Sequence, residues 1–191
     1  MKEEYTARIY YPLASGIRVD HPPEMPELVH MDDPATYVFT DFNYNRPAVT
    51  APDVTIDAAM NKMKLLAVRL LLVVDKNGVV IGQISARDIM GDAPVKLAQT
   101  SGRSHRDITV EMIMTPQEDI MAVDWHHLKG ATIGHIVATM HELECYHLPV
   151  VEDGRIRGLF SVREISRHLG FDVSENTMCA HSLAEIVHIL D

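Results

Sequence analysis

Apolar and polar positions along this chain follow a pattern that occurs twice. Behind Thr55, the residues Ile56, Ala59, Met60 and Met63 recur at helical spacing, which predicts a helix with a threonine N-cap. Behind Thr132, the residues Ile133, Ile136, Val137 and Met140 do the same. A short apolar run follows each helix, Leu71-Leu72-Val73-Val74 in one half and Leu148-Pro149-Val150-Val151 in the other, and predicts a buried strand. Next comes a turn, Asp75-Lys-Asn-Gly78 or Glu152-Asp-Gly154. A further short strand is predicted ahead of each helix, at Ala48–Thr50 and Ile120–Val123.

Beyond the turns, Gly78-Val-Val-Ile-Gly-Gln-Ile-Ser-Ala-Arg-Asp88 matches Gly154-Arg-Ile-Arg-Gly-Leu-Phe-Ser-Val-Arg-Glu164. Both read Gly-x-hydrophobic-x-Gly-x-hydrophobic-Ser-x-Arg-acid. The first part predicts a strand leaving the turn, the second a helix opened by Ser85 or Ser161. The copies align at a spacing of 76 residues here and 77 upstream, and the one-residue difference falls in the turn. Hairpin turns absorb such changes because pairing resumes beyond them. Each copy is therefore a β-α-β-β-α unit, and the fold class is α/β with two such repeats.

The remaining chain divides around these repeats. Residues 1–46 hold prolines at 12, 22, 23, 26 and 34, which forbid long helices, and five of the six tyrosines. This composition predicts an extended arm laid on the repeats or on a second subunit. Residues 47–107 form the first repeat with a linker helix, opened by Asp92-Ala-Pro94 and followed by the polar stretch 100–107. Residues 108–170 form the second repeat, interrupted by Asp124-Trp-His-His-Leu-Lys-Gly130, where Trp125 reads as a packing anchor ahead of the alternative, a lid over the cleft. Residues 171–191 predict a C-terminal helix, with Ser182 and Glu185 at capping-box spacing and an apolar stripe of Leu183, Ile186, Val187 and Leu190.

Taken together, the helices ending near Met63 and Met140, the Leu-Leu-Val-Val-Asp and Leu-Pro-Val-Val-Glu strands, and the paired Gly-x-x-Ser-x-x-acid turns resemble a tandem pair of cystathionine-β-synthase (CBS) domains. Val110-Glu-Met-Ile-Met-Thr-Pro116 resembles the lead-in to a second such repeat. The resemblance covers residues 47–170. It implies a pseudo-two-fold pair of repeats, association into a homodimer, and a regulatory role acting on a downstream protein partner.

Bulk properties narrow the classes. A net charge of −10, from 17 basic and 27 acidic residues, argues against broad nucleic-acid contact. Cys145 and Cys179 do not make a disulfide framework, which points to a reduced, cytoplasmic setting. The first residues lack a signal-peptide core, and the apolar run at 65–74 is broken by Arg69 and too short for a bilayer. The histidines lack the i, i+4 spacing of a helical zinc site, so no metal is expected. No nucleophile elbow, phosphate-binding loop, kinase signature or zincin motif points to an enzyme. Met60, Met63, Met90, Met112, Met114 and Met140 read as core filler.

The repeated turn supports two readings. Ser85 with Asp88, and Ser161 with Glu164, have capping-box spacing, and a cap alone needs no ligand. A helix start also offers free amides and a hydroxyl to a phosphate, while a nearby carboxylate can accept both hydroxyls of a ribose. The family resemblance implies an adenine nucleotide (AMP, ADP or ATP) or an adenosyl ligand such as S-adenosylmethionine. It assigns Asp88 to the ribose and Ser85 to the phosphate of the first site, with Arg87, Arg69, Leu70 and Thr115 beside them. The second site comprises Ser161, Arg163, Glu164, Tyr146 and His147. There glutamate replaces aspartate, and segment 40–46 offers no equivalent of Thr115. The competing readings are a ligand-free interaction module and, third, a small hydrolase using the cleft carboxylates.

Overall fold

The computed structural model describes Pro12 and residues 28–170. The expected C-terminal helix and most of the tyrosine-rich arm lie outside the described residues.

Two four-stranded sheets form from strands that match in pairs. The first runs in the order β2 (Val49–Thr50), β3 (Leu70–Val74), β4 (Val80–Ser85) and β5 (Thr115–Pro116). The second runs β6 (Val123–Asp124), β7 (His147–Glu152), β8 (Arg155–Ser161) and β1 (Thr40–Asp41). In each, the first pair is parallel and the other two are antiparallel. The hairpins carry an irregularity between Val73 and Val74 and again between Val150 and Val151. Helices α1 (Ile56–Leu65) and α2 (Ala86–Met90) flank the first sheet, α4 (Ile133–Glu142) and α5 (Val162–His168) the second, and α3 (Ala93–Ser101) begins the link. Each half is the expected β-α-β-β-α unit.

Caps start the long helices where the sequence places them. Thr55 Oγ1 accepts from the Ala58 amide at 3.3 Å. Thr132 does more: its hydroxyl faces the His135 amide, and His135 Nδ1 accepts from the Thr132 amide at 3.1 Å, so a histidine completes a reciprocal cap. Buried side chains fill two cores. One gathers Ile56, Met63, Leu71, Val73, Ile84, Ile108 and Val110, the other Ile133, Met140, Leu148, Val150, Phe160 and Ile165. Met63 and Met140 are buried, whereas Met90 and Met112 are 54% and 38% exposed and are not core filler. Both follow from position, since α2 ends at Met90 and Met112 closes a one-turn 3-10 helix.

The arm belongs to the second half. Val29, Ala35 and Val38 enter the second core, and the backbone bonds Ile133 N to Asp33 O and Ala35 N to Ala131 O stitch residues 33–35 to the start of α4. The lead-in at 108–110 repeats this on the first half, through Ile56 N to Ile108 O and Val110 N to Val54 O. Each sheet thus takes its last strand from the segment that precedes the other repeat. The two internal glycines make this possible. A Cβ at Gly82 would lie 2.7 Å from Thr115 O, and one at Gly158 would strike Thr40 O and the Phe39 ring. Arg157 then locks β1 in place: it donates to Asp41 at 2.9 Å, pairs with Glu152 and lies 4.4 Å over the Trp125 ring. Trp125 also meets Phe39 at 5.3 Å between ring centroids and is the packing anchor expected.

Among the described residues, no helix is long and apolar enough to cross a membrane.

Candidate functional site

Two hollows lie along the seam between the halves, of about 590 and 500 Å³, within the range usual for small-molecule sites. The sequence repeat accounts for their walls. Alternation along β4 turns Gln83 and Ser85 to one face, and alternation along β8 turns Leu159 and Ser161 to the equivalent face. The hydroxyl-bearing edge strands β5 and β1 cross beside them.

The first cleft brings together Leu70, Gln83, Ser85, Arg87, Asp88 and Thr115 from the first sheet and its edge. His141, Glu144, Cys145, Tyr146 and His147 face them from the second half. Ser85 and Asp88 form a full capping box: Asp88 Oδ2 accepts from the Ser85 amide at 2.7 Å and from its hydroxyl at 2.8 Å, while Ser85 Oγ accepts from the Asp88 amide at 3.3 Å. Arg87 stacks 4.5 Å over the Tyr146 ring, so a cation of one repeat is held by an aromatic of the other. Gln83 Oε1 is buried without a hydrogen-bond partner among the described residues. Burial pushes the Cys145 thiol up, which keeps it protonated.

Arg69, Leu70, Ser161, Arg163, Glu164 and His147 line the second cleft, with Thr40, Asn45, Arg46 and His168. Ser161 Oγ accepts from the Glu164 amide at 3.2 Å, but the reciprocal bond is missing. Glu164 turns instead to Arg167, which donates to both carboxylate oxygens, and to His168 Nδ1 at 3.6 Å. The expected second capping box is therefore half formed. The longer glutamate side chain reaches forward along α5 rather than back to its own cap.

Two assignments change. Arg69 faces the second cleft, with Ser161, and Tyr146 faces the first, with Ser85 and Asp88. The segments ahead of β3 and β7 are exchanged between the clefts. Second, segment 40–46 does hold an equivalent of Thr115. Thr115 pairs with Gln83 on β4, and Thr40 pairs with Leu159, which is the Gln83 position of β8. A spacing of 75 residues between Thr40 and Thr115 carries this signal, but it follows a second length change upstream of the strands.

Leu70 and its counterpart His147 line both clefts and form a shared floor. Burial lowers the His147 pKa to about 4, so its ring is neutral near pH 7. Among the described residues, no three His, Cys, Asp or Glu side chains converge as a metal site requires.

These paired clefts on duplicated β-α-β-β-α units define a tandem-repeat module. The CBS domain family model matches residues 40–93 and 126–170, more than half of the chain, and the chain belongs to the CBS domain family. The fold is shared with an uncharacterized conserved protein of Pyrococcus horikoshii (TM-score 0.55, 22% identity, covering 73% of this chain and 93% of that one). A CBS-domain containing protein of Agrobacterium tumefaciens is similar (TM-score 0.55, 21% identity, 74% and 98% covered). So is a conserved CBS domain protein of Thermoplasma acidophilum (TM-score 0.51, 19% identity, 78% and 75% covered). No curated protein matches the sequence.

Proposed function

We propose that this chain is a regulatory CBS-pair protein that binds an adenine nucleotide or adenosyl compound between its repeats. AMP, ADP, ATP and S-adenosylmethionine are the ligands considered. One observation carries this reading: Ser85 and Asp88 at the start of α2 and Thr115 on β5 meet in one hollow beside Leu70 and Tyr146. The two hydroxyls suit phosphate or ribose oxygens. Asp88 Oδ1 accepts no bond from the described residues and is available to a ribose hydroxyl. Leu70 and the Tyr146 ring offer apolar surface to a base. The role is non-catalytic and cytoplasmic. Ligand acts by different affinity for two shapes or pairings of a homodimer, which a downstream partner senses.

A second reading has its own support. Ser85 and Asp88 already satisfy each other, as a cap in an empty interaction module would. Melting temperature with a panel of the four ligands separates the two. A ligand at a hundred times its Kd adds about 2.7 kcal/mol to the folded state, a rise of several degrees. Such a rise with any of them supports the sensor, and a flat panel supports the interaction module.

A further inference from the structure

The two clefts share a plan but differ at one wall position. In the second, Leu159 of β8 stands opposite Thr40 of β1. In the first, the same register holds Gln83 of β4 opposite Thr115 of β5. Alternation along β4 puts Gln83 on the face of Ser85, while Ile84 between them is buried in the core. The carboxamide thus stands where the other half carries a hydrocarbon, so the fold itself does not require it. Nor does the protein satisfy it. Gln83 Oε1 is cut off from solvent and meets no hydrogen-bond donor among the described residues. Two donors that share the hollow are engaged elsewhere: the Ser85 hydroxyl donates to Asp88, and the Arg87 guanidinium lies over the Tyr146 ring. A carbonyl oxygen left in this state is unfavourable unless a further group brings it an N–H or O–H.

We infer that Gln83 is the residue of the first cleft that reads the base: its carboxamide accepts from the exocyclic amine of adenine and selects that base over purines that lack the amine. The inference rests on the reading of this cleft as an adenine-nucleotide site, and adds which side chain sets the base. An amide matches this edge because it carries an acceptor and a donor side by side. The oxygen takes an N–H of the amine while the NH2 group donates to the adjacent ring nitrogen. The last torsion of a glutamine is soft, so the amide turns towards the hollow at little cost. Leu70 and the Tyr146 ring remain the apolar faces beside the base, and Ser85, Asp88 and Thr115 remain with the sugar and phosphate.

Calorimetric titration of the full chain with AMP and with purine ribonucleoside monophosphate, the same nucleotide without the exocyclic amine, tests this. The parent is expected to bind AMP about tenfold or more tighter than the amine-free nucleotide, the discrimination a paired amide gives. Gln83→Met keeps the length of the side chain without the amide, and Gln83→Leu copies Leu159. Both should weaken AMP by about that factor and leave the amine-free nucleotide unchanged or tighter, so that the two nucleotides bind alike. A side chain that merely held the wall in shape would cost both nucleotides equally, and that result counts against the inference. Equal affinity of the parent for the two nucleotides overturns it while leaving the cleft a nucleotide site. So does a preference for AMP that persists in both variants. A parent that binds neither nucleotide overturns the nucleotide reading, and this inference with it. The parent's own ratio decides even where a variant fails to fold.

Discussion

Single atoms decide whether the two edge strands can seat. Gly158 has an ordinary backbone, yet its missing Cβ is what lets Thr40 and Phe39 cross β8. Gly154, by contrast, sits at φ 75° with open space around it. Gly158→Ala should therefore cost about 2–4 kcal/mol, as overpacking against backbone does. Gly154→Ala should cost about 1 kcal/mol from conformation alone. Urea denaturation of the two variants measures the difference, and equal losses would contradict the close-crossing account. His147 supplies a second residue-scale test. Its folded pKa of about 4 lies below the ordinary 6.5, so the unfolded chain takes up the proton first. Its contribution is complete above pH 6.5 and is lost as pH falls towards 4, up to about 3 kcal/mol. Arg157 holds the Asp41 carboxyl below its ordinary range, so the loss from Asp41 comes at lower pH still. His147→Leu, which copies Leu70, should flatten the stability curve between pH 6.5 and 4. A variant curve parallel to the parent's would place the acid sensitivity elsewhere.

At the scale of elements, β1 depends on Arg157. Asp41→Ala removes the carboxylate through which Arg157 holds β1, and Phe42 N–H, which donates to Arg157 O at 2.9 Å, should exchange with solvent at least tenfold faster. The amides of β7 should change less, and uniform acceleration would deny β1 its separate lock. The same strand marks the limit of what the sequence reveals. Helices α1 and α4, with their threonine caps, and the two hairpins are legible because periodicity, caps and turn glycines are local signals. Strands β1 and β5 are two residues long and exist only through pairing with residues far along the chain. Ser85 and Asp88 were legible as a pair because the repeat motif contains both, and Thr115 joined them only through the family resemblance. The exchange of Arg69 and Tyr146 was not, since it follows from how the two halves face each other. Nor was the turning of Glu164 towards Arg167, which a one-methylene difference and a basic neighbour on α5 decide together.

For the whole molecule, the exchanged edges tie the halves into one object. Neither sheet is complete without the lead-in of the other repeat, and the seam between them holds both clefts. Unfolding should then be a single transition. Fluorescence of the sole tryptophan, Trp125, reports on the second half, and amide signals of Ile84 report on the first. Their denaturation midpoints should coincide, and separate midpoints would show two independent domains. Both hollows are lined by residues of both halves, so on the proposed function a small molecule bound there would touch both at once and bias the shape of the whole. Calorimetric titration of AMP into the parent chain and into Asp88→Ala tests this most directly. The account predicts saturable binding to the parent and none to the variant, both proteins being folded by circular dichroism. Equal affinity in the two, or no heat in either, would contradict it.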